Sequence, residues 1–236
     1  MPPTLTSQTS LLDYNTASIS TLISSRGWQE LPEFERIGAV YDYVRDEILF
    51  GYNRVDNIPA SQVLRDGFGQ CNTKGTLLMA LLRAVGVPCR LRGFTIKKAL
   101  QKGVVPPLVY PLAPDNILHS WVEVVFEGNW IALEGYILDR PFLTEIQSRF
   151  LPRGKQLCGY AVGTNQLDAP PVNWAGEDTY IQRTGINQTF GVFDTPDAFY
   201  QNHRQTLSPV QGWLYENIIR HWMNARVAKI RRGKRV

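Results

Sequence analysis

The stretch "GFGQCNTKGTLLMALLRAVGVPCR", residues 67–90, constrains this chain more than any other. Leu77, Leu78, Leu81, Leu82 and Val85 recur at three- and four-residue steps, the spacing of one buried helix face. Gly86 and Pro88 stop that helix, and Cys89 to Phe94 read as a short strand. Ahead of the helix stand Gly67, Gly69 and Gln70, then Cys71. The pattern predicts a buried helix that opens at a cysteine and is entered through a sharp glycine turn. The thiolate is the reactive form of cysteine, and the free N–H groups and dipole of a helix start favour it. Cys71 therefore reads either as a small buried hydrophobe or as a nucleophile.

The remaining pattern places this helix in an α+β context. "TASISTLISSR" (16–26) and "LPEFERIGAVYDYVRDEILFGY" are helical, the second through Ile37, Val40, Tyr41, Val44 and Ile48. "SQVLRDGFG" is a short helix stopped by Gly67 and Gly69. "HSWVEVVF" and "WIALEGYIL" are β-rich runs joined by "EGN", a hairpin signal. "PFLTEIQSRF" reads as a short helix. Residues 151–195, rich in Gly, Pro, Asn and Thr, are expected to be irregular and to pack over the core. "SPVQGWLYENIIRHWMNARVAKI" is a closing helix with Ser208 as N-cap and Pro209 in its first position. Helices, then a meander of strands, then irregular structure and helix argue α+β rather than alternating α/β.

With 236 residues the chain can bury one proper core, and one domain over 1–236 is expected. Its core would span about 35–140, with 141–236 packing on it as an extension. No apolar run approaches a membrane span. The start, "MPPTLTSQTSLLDYN", lacks the basic-then-apolar pattern of a secretory signal. Three cysteines make no disulfide framework, so a reduced, cytoplasmic protein is expected. The net charge of +4 hides an asymmetry. Arg226, Lys229, Arg231, Arg232, Lys234 and Arg235 lie in the last 13 residues with no acid among them. With no aromatic interleaving and no nucleic-acid motif, the tail reads as a solvated helix end. Contact of this tail with an acidic partner is the alternative.

A cysteine nucleophile needs an imidazole, and the imidazole needs an orienting acceptor. Of the three histidines, His203 and His221 read as surface or packing residues. His119 begins the first strand of the hairpin beside a Pro-rich loop, where a side chain can face a cleft. A two-residue turn at Glu127-Gly128 pairs residue i with 255 − i. Glu134 then falls opposite Trp121 on the His119 face, and Asp139 falls on the other face. Tyr52, with Gln70 behind it, is the candidate second donor to an oxyanion, after the Cys71 N–H. Cys89 reads as a buried strand residue, and Cys158 sits in a loop with no evident role. No residue cluster has metal-ligand spacing and no glycine loop suits a phosphate, so neither metal nor cofactor is expected.

These residues carry a resemblance. "GFGQCNTKGTLLMALLRAVGVPCRLRGF" resembles the nucleophile segment of the transglutaminase-like superfamily. "HSWVEVVFEGNWIALE" resembles its second block, and "PASQVLRDG" suits the approach to the cysteine; the likeness covers roughly residues 35–140. It implies a papain-like fold and a triad of Cys71, His119 and Glu134, with Glu134 where Asp is usual and Asn72 where a bulky residue is common. The resemblance does not imply one reaction; a cysteine-dependent hydrolase, amidase- or peptidase-like, acting on an amide- or peptide-containing substrate is the leading expectation. An acyltransferase on the same residues and a non-catalytic binding module are the alternatives. Hydrolysis is favoured on the expectation that the polar segment 151–208, with Asn165, Asn173, Asn187 and Gln188, lines a wet cleft.

Overall fold

The computed structural model describes residues 5–235. The chain begins with α1 (Ala17–Arg26), α2 (Glu33–Asp46), a short β1 (Leu49–Phe50) and α3 (Ala60–Asp66). A two-residue β2 (Phe68–Gly69) pairs in parallel with β1 and delivers the chain to α4 (Cys71–Ala84). In α2, Ile37, Val40, Tyr41 and Val44 form the buried stripe, with Glu33 and Glu35 in the first turn and Arg45 in the last. α4 departs from the expected single stripe, because every residue from Cys71 to Arg83 is buried. It is the central helix, and Lys74 within it is held by the Arg45 and Ile137 carbonyls, each at 3.1 Å.

After α4 come β3 (Cys89–Lys97), β4 (Asn116–Phe126) and β5 (Asn129–Leu133), followed by α5 (Arg140–Phe150). The β4–β5 register pairs Val122 with Leu133 and Phe126 with Asn129, around a turn whose residues Glu127 and Gly128 have φ of 48° and 80°. Both are left-handed, the signature of a tight two-residue hairpin. β5 stops at Leu133, earlier than its apolar run suggests, because the chain there turns to meet Thr179.

Residues 151–195 are not irregular throughout. They form the hairpin β6 (Leu157–Gly159) and β7 (Val162–Thr164), and then β8 (Ile186–Phe193), which pairs antiparallel with β3. The main sheet has the order β5-β4-β3-β8 and is antiparallel throughout. β8 alternates weakly because most of its side chains are partly or fully exposed, which left the strand unmarked in sequence. Cys158 accordingly lies on a strand, not in a loop.

The chain closes with α6 (Pro196–Asn202), α7 (Pro209–Leu214), a π-helical turn over Tyr215–Ile219, and α8 (Arg220–Arg231). Ser208 caps α7 by accepting the Gln211 N–H, with Pro209 in the first turn. The fold is α+β: helices packed on an antiparallel sheet, with a C-terminal helical segment. Among the described residues no helix is long and apolar enough to cross a membrane. The tail is not merely solvated. Arg231 donates to both carboxylate oxygens of buried Asp139, at 2.9 and 2.7 Å, and to the Phe50 carbonyl at 2.8 Å.

Candidate active site

Cys71 is the first residue of α4, and a reciprocal cap fixes that position. The Gln70 side chain accepts the Thr73 N–H, and Thr73 Oγ1 accepts the Gln70 N–H at 3.1 Å. Gly69 is required for this closure: a Cβ there would sit 2.6 Å from Thr73 Oγ1. Thr73 in turn donates to Asn53 Oδ1 at 2.6 Å. The Cys71 carbonyl accepts the Tyr136 hydroxyl at 3.0 Å. Cys71 is 8% exposed and lines a cavity of about 390 Å³.

His119 and Glu134 are both fully buried, and Nε2 of the imidazole lies 2.8 Å from Glu134 Oε1. The other carboxylate oxygen accepts the N–H groups of Ile181 and Gln182, each at 2.9 Å. The Glu134 N–H donates to the Thr179 carbonyl at 3.0 Å. The longer side chain is thus accommodated by the segment 179–182, which packs against the end of β5 and takes the second oxygen. With Nε2 committed to Glu134, Nδ1 is the ring nitrogen left for Cys71, and among the described residues it has no other hydrogen-bond partner. Burial alone would lower the imidazole pKa. Cys71 and Glu134 together outweigh burial and push it up to about 10.

Asn72 connects the two halves of the site. Its Nδ2 donates to the Leu118 carbonyl at 3.2 Å and its Oδ1 accepts the Ser120 hydroxyl at 2.9 Å. The residue after Cys71 therefore grips β4 on both sides of His119. Nothing in the sequence announced this role beyond the departure from a bulky residue. The Ile181 and Gln182 contacts left no signal either, because backbone N–H groups have no sequence signature.

The other candidates fall as follows. Tyr52 and Gln70 both line the cavity with Cys71. Each has its donor engaged: the Tyr52 hydroxyl donates to Gln101 Oε1 at 2.6 Å, and Gln70 Nε2 to Asp56 Oδ1 at 2.8 Å. Asp139 caps α5 by accepting the Phe142 N–H at 3.0 Å and accepts the Phe50 N–H at 2.8 Å. His203 stacks on Phe190, and His221 is exposed. Cys89 is fully buried, and burial pushes its thiol up to about 11; Cys158 is exposed.

The cavity beside Cys71 matches the expected cleft only in part: Gln182, Tyr200, Arg204 and Gln205 of the segment 151–208 line it, but much of its wall is apolar. Val109, Leu112 and Leu118 form one wall, and Leu214, Ile219 and Met223 another. Asn165, Asn173, Asn187 and Gln188 are absent from its lining. The π-helical turn supplies Tyr215, Glu216 and Ile219 to this wall; such turns recur at functional sites.

Comparison with known proteins finds a likeness over part of the chain. No curated protein matches. A crystal structure from Cytophaga hutchinsonii, named "Putative Cysteine Protease", aligns at 16% identity with a TM-score of 0.38. The alignment covers 55% of this chain and 40% of that one, so this chain spans about two fifths of its length. Residues 24–135, just under half of the chain, match the Transglutaminase-like superfamily. Over that part, which contains Cys71, His119 and Glu134, the fold is that of the transglutaminase-like, papain-like cysteine enzymes.

Proposed function

We propose that the protein is a cysteine-dependent hydrolase, amidase- or peptidase-like, that cleaves an amide through a thioester on Cys71. The observation that carries this reading is the buried His119–Glu134 hydrogen bond, which leaves Nδ1 to Cys71 at a helix start. In this mechanism His119 already holds the proton given up by the Cys71 thiol, and Sγ bonds to the amide carbon, placing negative charge on the carbonyl oxygen beside the Cys71 N–H. Collapse breaks the C–N bond, and the leaving nitrogen takes the proton from His119. Water then gives a proton to His119 and its oxygen to the thioester carbon. The acid departs, and the sulfur is left as thiolate with the proton on His119. Glu134 keeps the ring oriented and faces the imidazolium formed at each stage. Intact-protein mass spectrometry after incubation with a panel of amides tests this. An acyl adduct on the wild-type chain that is lost in Cys71→Ala is expected. Absence of both adduct and turnover across the panel would defeat it.

The apolar cleft favours a second reading, acyl transfer. A thioester passes to an amine when the site binds the amine and excludes water, and the walls around Cys71 are suited to exclusion. Partitioning separates the two: an acyl donor is supplied with millimolar primary amine, and acid release is followed against amide formation. Dominant amide product makes the protein an acyltransferase.

A further inference from the structure

If Cys71 forms the thioester, the cleft it lines constrains what the acyl group is. Several of the polar groups in that cleft are already taken within the protein. Arg54 Nε meets Glu216 Oε2 at 2.6 Å, and Gln205 Oε1 accepts the Leu118 N–H at 2.8 Å. Tyr52 is engaged with Gln101, and Gln70 with Asp56. Two of its buried residues carry a group left over: among the described residues the Tyr200 hydroxyl and Gln182 Oε1 have no partner, although these residues are only 4% and 2% exposed. Buried polar groups are almost always paired, so an unpaired one that lines a cavity calls for a ligand. One spare donor and one spare acceptor complement the C=O and N–H of a single amide. The remainder of the lining is predominantly apolar.

Tyr200 is held there firmly. Its neighbour Phe199 packs so closely on the sheet that a Cβ at Gly93 would come within 2.3 Å of the Phe199 ring. α6 is thereby seated on β3. The size of the cleft adds a second constraint. A dry apolar cavity of about 150 Å³ takes one benzene, so about 390 Å³ suits a group two to three times that bulk. The wall from Leu214 to Met223 lies outside residues 24–135, the part that matches the superfamily.

We infer that the site takes an amide whose acyl group is a long apolar chain. The chain lies along the Leu214, Ile219 and Met223 wall, and Tyr200 and Gln182 bind the amide C=O and N–H. In the acylation step the Sγ–C bond forms, the C–N bond breaks, and the leaving amine takes the His119 proton. The apolar chain stays on the enzyme as the thioester. This rests on Cys71 as nucleophile, and the test separates the two ideas.

Two series of amides are compared: N-acyl p-nitroanilides from acetyl to dodecanoyl, and N-acetyl amides of increasingly apolar amines. kcat/KM should rise about fourfold per added acyl methylene until the cleft is filled, and should be nearly flat in the amine series. In Tyr200→Phe, kcat/KM for the octanoyl amide should fall about tenfold or more, mainly through kcat, because the carbonyl oxygen it donates to takes on charge. Gly212 lines the cleft, and a Cβ there meets nothing within 4 Å. In Gly212→Phe the ratio of dodecanoyl to butanoyl activity should drop at least tenfold. On the unmodified protein, octanoate but not acetate should protect Cys71 from iodoacetamide, a readout that needs no variant. A flat acyl series with good acetyl turnover, or a rate that follows the amine, overturns the inference and leaves Cys71 as nucleophile. If no amide of either series acylates Cys71 and Cys71→Ala behaves as wild type, the underlying reading falls and the inference with it.

Discussion

Asn72 is the residue on which the spacing of Cys71 and His119 most directly depends, since it bridges the start of α4 to both neighbours of His119. Asn72→Ala should lower kcat about tenfold or more with little change in KM, because it loosens the pair without touching the cleft's apolar wall. Asn72→Asp, which keeps the acceptor for Ser120, should recover part of the loss. Near pH 6, iodoacetamide should label Cys71 at least tenfold faster than exposed Cys158, and His119→Ala should remove most of that advantage. Peptide mass spectrometry reads both, and equal rates at the two thiols would defeat the expectation. Glu134→Gln should cost activity far more than Asp139→Asn, whereas Asp139→Asn should cost stability, since Asp139 caps α5 and pairs with Arg231. His119 holds its proton from its ordinary value of 6.5 up to about 10 in the folded state. Its contribution to stability is therefore complete below about pH 6.5 and is lost as pH rises through about 10. Proton donation to the leaving amine should fade over the same upper limit.

Among the elements, α4 shows both what the sequence made legible and what it hid. Its apolar spacing, glycine entry and Gly86-Pro88 exit are all local signals, and the helix begins at Cys71 as they require. The hairpin register was equally legible, because a two-residue turn at Glu127-Gly128 leaves little choice. What holds Glu134 was not, since its second oxygen is met by backbone amides 47 and 48 residues away. The character of the cleft was misjudged for a related reason. Asn165, Asn173, Asn187 and Gln188 are exposed and lie away from the cleft, while the apolar residues of the closing helix that line it look in sequence like ordinary core. Lys74 offers an element-level test. Burial lowers its pKa from 10.5 to about 7, against the pull of Asp139 and Asp46. Between those values the unfolded chain binds the proton that the folded chain lacks, so this group's contribution rises with pH, opposite in sign to that of His119. The stability of wild type relative to Lys74→Met should therefore increase from pH 7 to pH 10, as read by urea denaturation at each pH.

At the scale of the molecule, residues beyond 135 complete the part that resembles a known superfamily. β8 extends the sheet, Ile181 and Gln182 hold Glu134, and Arg231 reaches back to Asp139 and Phe50. Burial alone would raise the Asp139 carboxyl, but the Arg231 guanidinium outweighs it and holds the pKa below its ordinary 3.8. That stabilisation is present above 3.8 and is lost as pH falls through the lowered value. Arg231→Met leaves a buried carboxylate without its cation and should destabilise the protein by about 3–5 kcal/mol at neutral pH. The deficit should shrink in acid, and urea melts at pH 7 and pH 3.5 measure it. Removal of residues 231–236 should show the same loss, although the rest of α8 is kept.

The amides that clamp Glu134 have a consequence in time. A chain emerging from the ribosome at about 5–20 residues per second presents Glu134 several seconds before Ile181 and Gln182 follow it. Throughout that interval the thiol, the imidazole and the carboxylate all exist, yet the carboxylate lacks the two N–H groups that aim it. The nascent chain should therefore stay inert while it is still attached, and reactivity should switch on only once the later segment has docked. Stalled chains ending before and after the segment 179–182, with enough linker to clear the exit tunnel, would show this as a step in the alkylation rate of Cys71.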